Sequence, residues 1–229
     1  MNTLRPALAA LIVVLLVPAQ APAAEHRPPS FYENWIRWEA SLGMHAWPSI
    51  GDIDPFAGGS FDELGFNLGF AVHVRTRQQQ QRELLAGFDV GFFSSESNIT
   101  LFTEDLTARG LYATPSVKWM FGANRQRYSL DAGIGYYLVD IAEVTSIDFG
   151  YSEVELWQAS GVGGYLGGTW DIAPRDPLKT RGWMLGLKVH FFDLGDVRDE
   201  NPALPARLGP AAGDLKGPVY QLQFGYRWR

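Results

Sequence analysis

The chain has 229 residues, a formal net charge of −6 and no cysteine, and aromatic residues make up 14% of it. The lack of cysteine excludes disulfides, thiolate metal sites, thiol nucleophiles and the lipid-acceptor cysteine of a bacterial lipoprotein. An acidic balance without a basic stripe argues against nucleic acid as a partner.

Residues 1–23 have the pattern of a secretory signal peptide. Arg5 supplies a positive start, 7–17 form an apolar run, and small residues precede the predicted cleavage site. The apolar run is too short to cross a bilayer as a helix. We therefore predict that the chain is exported.

After the signal peptide, apolar and polar residues alternate with a period of two. The alternation recurs in eight segments, 35–46, 64–75, 83–94, 110–121, 128–138, 156–170, 183–192 and 219–228. It is clearest in the second segment, where every even position from Leu64 to Val74 is apolar. A period of two predicts β-strands with one apolar face, and roughly ten residues suffice for a tilted strand to cross a bilayer.

Two of these segments are imperfect. Pro115 lies within the fourth one, and because proline cannot donate to a ladder we expect a bulge or local break there. Five glycines blur the two faces of the sixth, 156–170. We predict a strand there mainly because its neighbours require one.

The links between the segments alternate in length. Short links cover 76–82, 122–127 and 172–181, and long links cover 47–63, 95–109, 142–155 and 194–218. Short periplasmic turns and long extracellular loops are typical of outer-membrane barrels. We therefore predict an all-β fold, an eight-stranded antiparallel up-and-down transmembrane β-barrel over 35–229, preceded by a periplasmic lead over 24–34.

A helical membrane protein and a soluble barrel are the alternatives. After the signal peptide no apolar run approaches twenty residues, which excludes the helical one. A soluble barrel would point its apolar face inward. In this chain the tryptophans gather at the predicted periplasmic strand ends, as the interfacial girdle of a membrane barrel requires, and this favours an apolar face directed toward lipid. The predicted girdle consists of Trp35, Trp119, Trp170, Trp183 and Trp228.

Charged residues of both signs lie on the face predicted to line the interior. They are Arg37, Glu39, Arg75, Glu83, Asp89, Lys118, Asp131, Lys188 and Arg227. The interior of an eight-stranded barrel is just wide enough for side chains, and an unpaired buried ion is very costly. We predict paired charges that plug the lumen, with a gated pore lined by the same charges as the alternative.

The inward histidines His45, His73 and His190 lie on three strands at different depths. A metal site needs ligands that converge within about 2 Å of one ion. Their spacing does not suggest this, so we expect hydrogen-bonded interior histidines, no metal and no cofactor.

Two stretches resemble known outer-membrane proteins. Phe224, Tyr226 and Trp228 resemble the terminal signature that the barrel-insertion machinery reads, although Arg229 follows the last aromatic residue. The stretch 110–137 is similar to the middle of the OmpW-like and OmpA-like small barrels. The resemblance implies location in the bacterial outer membrane among lipid and lipopolysaccharide, with the insertion machinery and periplasmic chaperones as partners during biogenesis.

The stretch 187–192 is similar to the end of the PagL-type lipid A deacylases. That family places a serine nucleophile two residues after a histidine, so that the imidazole can take the hydroxyl proton. Here Phe192 stands at the corresponding position after His190. The nucleophile is missing, and deacylase activity is disfavoured.

The predicted external links are strongly acidic, which is usual for a solvated surface. A second interpretation is that their carboxylates recruit Mg²⁺ or Ca²⁺ that bridges to lipopolysaccharide phosphates.

The sequence leaves three candidate functions, in order of preference. The first is a non-enzymatic barrel for envelope integrity or surface interaction. The second is a narrow channel for small or apolar solutes, as in OmpW-like barrels, and the third is a lipid A-modifying enzyme.

Overall fold

The computed structural model describes most of the mature chain. The described residues are 36–50, 63–79, 82–98, 104–122, 126–147, 150–172, 182–196, 198–199 and 214–228. The predicted signal peptide, the periplasmic lead and Trp35 lie outside them.

Within the described residues, eight long strands close into a ring. They are β1 (Ile36–Ala46), β2 (Leu64–Gln79), β3 (Arg82–Asn98), β4 (Glu104–Phe121), β5 (Gln126–Ile147), β6 (Gly150–Ile172), β7 (Gly182–Asp196) and β10 (Val219–Trp228). Each strand is antiparallel to the next, β1 pairs with β10, and the β6–β7 pairing completes the closed sheet. The predicted all-β up-and-down barrel is confirmed.

Three short elements lie at the extracellular end of the ring. A 3-10 helix (Pro48–Ile50) follows β1, β8 (Arg198–Asp199) pairs with β6, and β9 (Asp214–Lys216) pairs with β7. In the part of the chain that the structure describes, no helix is long and apolar enough to cross a bilayer.

The strand register keeps the two faces of the sheet separate. Leu42 of β1 is aligned with Phe224 of β10 and with Leu68 of β2, while the preceding residue, Ser41, is aligned with Gly225. Side chains alternate across a strand, so large apolar residues form an outward belt, and they are exposed. The charged residues point inward and are buried. This arrangement inverts that of a soluble protein and is the arrangement of a membrane barrel.

The two doubtful segments are both strand. Pro115 is aligned with Phe88 of β3, and the ladder between β4 and β5 is interrupted only at 114–115, with the same register on both sides. The expected local break is therefore present, without a bulge. In β6, Leu166 and Trp170 face outward and Tyr165 is buried inside, which fixes the facing that its glycines left open.

The predicted long links over 95–109 and 142–155 are mostly strand, which corrects that expectation. β5 and β6 contain 22 and 23 residues, about twice the 9–11 needed to cross a bilayer. The outward apolar belt ends on β4 and β5 near an ion pair, Arg109 Nε to Asp140 Oδ2, at 2.8 Å. Beyond it the paired strands continue as an extracellular extension of the sheet, which we define as β3 to β6 above this pair.

Candidate functional site

The lower half of the barrel interior, toward the periplasm, contains a network of buried charges. We call it the charge layer, and it consists of Arg37, Glu39, Glu83, Asp89, Lys118, Asp171, Lys188 and Arg227. Glu39 lies at its centre, because one carboxylate oxygen accepts a hydrogen bond from Lys118 and the other accepts one from Arg227 Nε at 2.7 Å. The second carboxylate on Arg227 is that of Asp171. Glu39 thus holds two cations from opposite sides.

Two further ion pairs cross the lumen. Arg37 of β1 donates to Glu83 of β3. Lys188 of β7 donates to Asp89 of β3 at 2.5 Å, and the Tyr165 hydroxyl donates to the same oxygen at 3.1 Å. The Lys188 ammonium also lies 4.5 Å from the Tyr165 ring centroid, a distance at which a cation is attracted by the ring face. Each of these pairs joins strands that are not neighbours in the ring.

The sequence prediction and the charge layer differ at three positions. Asp131 is buried, yet neither of its carboxylate oxygens has a hydrogen-bond partner among the described residues. Arg75 is half-buried and, in the same part of the chain, forms no ion pair. Asp171 belongs to the layer but lies one residue beyond the predicted sixth segment. Continuing the inward positions of β6 from Tyr165 through Thr169 would have identified it.

The upper half of the interior is filled by rings and aliphatic side chains. This aromatic plug consists of Ile50, Trp47, Phe93, Tyr112, Tyr137, Phe192 and Leu215, all buried in one cluster. The Trp47 ring meets Phe93 and Phe192 edge-on at centroid distances of 5.4 and 5.8 Å. Such edge-to-face pairs are favourable beyond the area they bury. The plug occupies the upper, extracellular half of the interior.

Trp47 was not among the residues predicted to be functional. It follows β1 directly, in a link that the sequence predicts to be an external loop. Its indole nitrogen donates to Ser49 Oγ at 3.0 Å and to the Lys216 carbonyl at 2.9 Å. These bonds hold the start of the first loop against β9, above the barrel. In the sequence, the signal that could have predicted the burial of this loop in the aromatic plug is its apolar start, Trp47 with Ile50.

The three interior histidines are dispersed, and each has a local partner. His45 Nε2 lies 2.9 Å from Ser95 Oγ, His73 Nε2 lies 3.1 Å from Ser116 Oγ, and His190 Nδ1 lies 2.9 Å from the Tyr137 hydroxyl. Among the described residues, no three acidic or histidine side chains are grouped to hold a metal.

Phe192 is part of the aromatic plug. Its ring stacks on Phe93 at 6.2 Å with an interplanar angle of 20°. The position that carries a nucleophile in the deacylases is here a buried aromatic residue, and neighbouring His190 bonds to Tyr137.

The outer surface carries aromatic residues at the periplasmic ends of the strands. Trp119, Trp170 and Trp183 are exposed there, and Trp228 ends β10, with its ring 6.3 Å from that of Tyr226. The guanidinium carbon of Arg82 lies 6.0 Å from the Trp119 ring centroid. With the apolar belt above them, these residues define a lipid-facing surface. The protein is an outer-membrane β-barrel.

Comparison with known proteins gives similarity of structure only. No family model and no curated protein matches the chain. Neisserial surface protein A is 14% identical, with 84% of this chain and 96% of that chain covered and a TM-score of 0.44. Ail of Yersinia pestis, solved with the heparin analogue sucrose octasulfate, is 12% identical, with 85% and 99% covered and a TM-score of 0.43. OprG of Pseudomonas aeruginosa is 14% identical, with 84% and 96% covered and a TM-score of 0.41. Similarities at this level identify no shared activity.

Proposed function

We propose that this protein is a non-conducting, non-catalytic outer-membrane barrel that contributes to envelope integrity and presents its extracellular extension for surface contacts. The observation that carries this proposal is that buried side chains occupy the interior at two heights. Ion pairs of the charge layer cross the lower half, and the aromatic plug fills the upper half.

The packing of the charge layer supports a closed lumen. A cavity among Glu39, Asp89 and Lys188 has a volume of about 10 Å³, which is at the lower limit for a single water molecule, about 10–15 Å³. In this proposal a solute passes only if these ion pairs separate. Separating a buried pair leaves each charge without its partner in a site that water does not reach, and this costs several kcal/mol.

The extracellular extension supports a role at the cell surface. At about 3.3 Å per residue and a tilt near 45°, a strand as long as β5 rises roughly 50 Å, against a hydrocarbon thickness of roughly 30 Å. The extension carries acidic positions, including Glu104, Asp105, Glu143 and Glu153. In this proposal the acidic extension contacts lipopolysaccharide through divalent cations, which coordinate carboxylate oxygens.

Planar-bilayer recording on the purified barrel tests the central claim. We expect no stepwise conductance from wild-type protein. Steady channel openings would overturn the closed barrel and favour the narrow channel instead. A reconstituted porin recorded in the same lipid provides the positive control.

Lipid A mass spectrometry tests the alternative that the barrel is a lipid A-modifying enzyme. Lipid A from cells with and without the protein should have the same acylation pattern. A protein-dependent loss or gain of an acyl chain would contradict the proposal.

The surface contact is tested by co-purification of lipopolysaccharide with and without a chelator. Retention of lipopolysaccharide that is insensitive to chelation would contradict the cation bridge.

A further inference from the structure

The sheet of the extracellular extension ends in an edge at β6. On one side β6 pairs with β5 from Gly150 to Ile172. On the other side it pairs with β7 from Gly163 toward the periplasm and with β8 at 157–158. Among the described residues, the stretch 150–156 has no strand partner on that side. We call this stretch the β6 edge.

The β6 edge is long enough to pair with a further strand. An edge strand presents backbone N–H and C=O groups that can bond to another chain. At about 3.3 Å per residue the β6 edge is roughly 23 Å long, which suits an extended peptide that binds by strand addition. The opposite edge of the extension is shorter, because β3 continues past Ser94, its last residue aligned with β2, only over 95–98 of the described residues. Strand addition is therefore better supported at β6.

The strand register places two carboxylates of the β6 edge on the outward face of the extension. On β4 this face continues from Arg109 through Thr107 to Asp105, because side chains alternate along a strand. Two rows of aligned residues cross it, Glu96–Thr107–Ala142–Glu155 and Asn98–Asp105–Val144–Glu153. Each row therefore ends at the β6 edge with a glutamate.

These two glutamates have no cation aligned with them on the neighbouring strand. Glu155 is aligned with Ala142, and Glu153 is aligned with Val144. In the described part of the extension, each of the four strands contains carboxylates and none contains lysine or arginine. Opposite charges aligned on adjacent strands stabilise the pair, and like charges destabilise it. A strand added at the β6 edge is therefore favoured when it brings basic side chains, and a second copy of this acidic extension is disfavoured.

We propose that the β6 edge binds an extended basic segment of a partner protein as an added strand, with lysine or arginine at every second position opposite Glu153 and Glu155. Backbone hydrogen bonds along the edge supply affinity, and the alternating side chains supply selectivity. The inference rests on the proposed role of the extension in surface contacts, and it adds the chemistry of one partner.

A short fluorescent peptide that alternates lysine and threonine tests this site by anisotropy, with the purified barrel in zwitterionic nanodiscs. We expect the peptide to bind wild-type protein at physiological ionic strength. The same peptide with a methyl group on every backbone nitrogen keeps its charge but donates no backbone hydrogen bond. It should bind at least about tenfold more weakly, because several bonds of ordinary strength are lost. Equal binding of the two peptides would show attraction by charge alone and would overturn the proposal.

Charge reversal separates the β6 edge from the rest of the acidic face. The double variant Glu153→Lys/Glu155→Lys should weaken binding at least about fivefold, because two favourable cross-strand pairs become repulsive. The matched control, Glu96→Lys/Asp105→Lys, changes the net charge equally within the same two rows. Neighbouring strands lie about 4.8 Å apart, so Asp105 is roughly 14 Å from an added strand, beyond the screening length of about 8 Å. The control should therefore weaken binding less than about twofold.

The other outcomes of these measurements would also overturn the proposal. Wild-type protein that binds no peptide would show that the β6 edge is not available to a partner. Equal losses in the two double variants would indicate a diffuse acidic surface, and a loss confined to Glu96→Lys/Asp105→Lys would move the partner to β3. If Glu153→Lys/Glu155→Lys does not fold, Glu153→Gln/Glu155→Gln is compared with Glu96→Gln/Asp105→Asn.

Failure of this inference is distinguishable from failure of the proposed function. Silent bilayer recordings, unchanged lipid A and chelator-sensitive retention of lipopolysaccharide can all hold when the peptide does not bind. In that case the closed barrel and its contact with lipopolysaccharide stand, and only strand addition at the β6 edge is refuted.

Discussion

Neutralising Glu39 should destabilise the barrel more than any other single change of charge in the charge layer. The Glu39→Gln variant keeps the size of the side chain but leaves Lys118 and Arg227 without their shared anion. All three side chains are almost fully buried. Removing one partner of a buried ion pair costs about 3–5 kcal/mol, because the remaining charge is left uncompensated. Arg227 keeps Asp171, which places the expected loss within that range and not above it.

Urea unfolding of the barrel in lipid vesicles measures this loss. A midpoint shift at constant slope reports a change in stability alone. The matched control is Asp140→Asn, which breaks the Arg109–Asp140 pair near the membrane surface. Arg109 is 31% exposed in its side chain, and exposed ion pairs contribute only about 0–1 kcal/mol. The variant Lys118→Met in the Glu39→Gln background should recover part of the loss by removing one orphaned charge.

A loss below 1 kcal/mol in Glu39→Gln, equal to that of Asp140→Asn, would refute this reasoning. It would mean that water enters the charge layer and solvates the two cations. An additive double mutant would also contradict it, because residues that share an interaction show coupling energies of about 0.5–3 kcal/mol.

Three further variants test the packing. Trp47→Ala should lower the unfolding free energy by about 3–5 kcal/mol, as for other large buried rings, and planar-bilayer recordings should stay silent because the charge layer remains. Gly43→Ala should fold poorly, because its Cβ would lie 1.8 Å from a backbone carbonyl oxygen of β10. The control variant Gly168→Ala should fold, because its Cβ meets only ordinary contacts of 3.4 Å or more. The band shift on unheated gels distinguishes folded from unfolded barrel. Tyr137→Phe removes the hydrogen bond to a buried imidazole and should cost about 1–3 kcal/mol in urea unfolding, while Tyr136→Phe on the lipid-facing surface should cost less than 0.5 kcal/mol, roughly the limit for surface changes.

The strands could be predicted from the sequence because lipid imposes a strict alternation on them. Along β2, from Leu64 to Val74, one face must be apolar and the other meets the interior, and this constraint leaves a period of two. Above the membrane the constraint is absent. The ends of β5 and β6 lie outside the bilayer, where alternation is not required, and they were therefore predicted to be loops.

The membership of the charge layer was predictable, but its pairings were not. Strand register gives the neighbours of Glu39, yet Lys118 reaches it from β4, three strands away in the ring. Which side chains meet across the lumen depends on the barrel diameter, the relative depths and the rotamers. The same limit applies to Asp131, which is aligned with Lys118 on the neighbouring strand but has no hydrogen-bond partner among the described residues.

The two interior layers brace the barrel at different heights, and this supports the proposal that the protein acts through its outer surfaces. Lys188 and Asp89 join strands on opposite sides of the ring, and Trp47 links the first loop to the plug and to β9. Opening a path would require several buried ion pairs and a packed aromatic cluster to separate together, because interiors are close-packed and do not deform gradually. A barrel braced in this way is suited to hold its outer surfaces rigid. In the proposed function, the surface that acts is the extracellular extension.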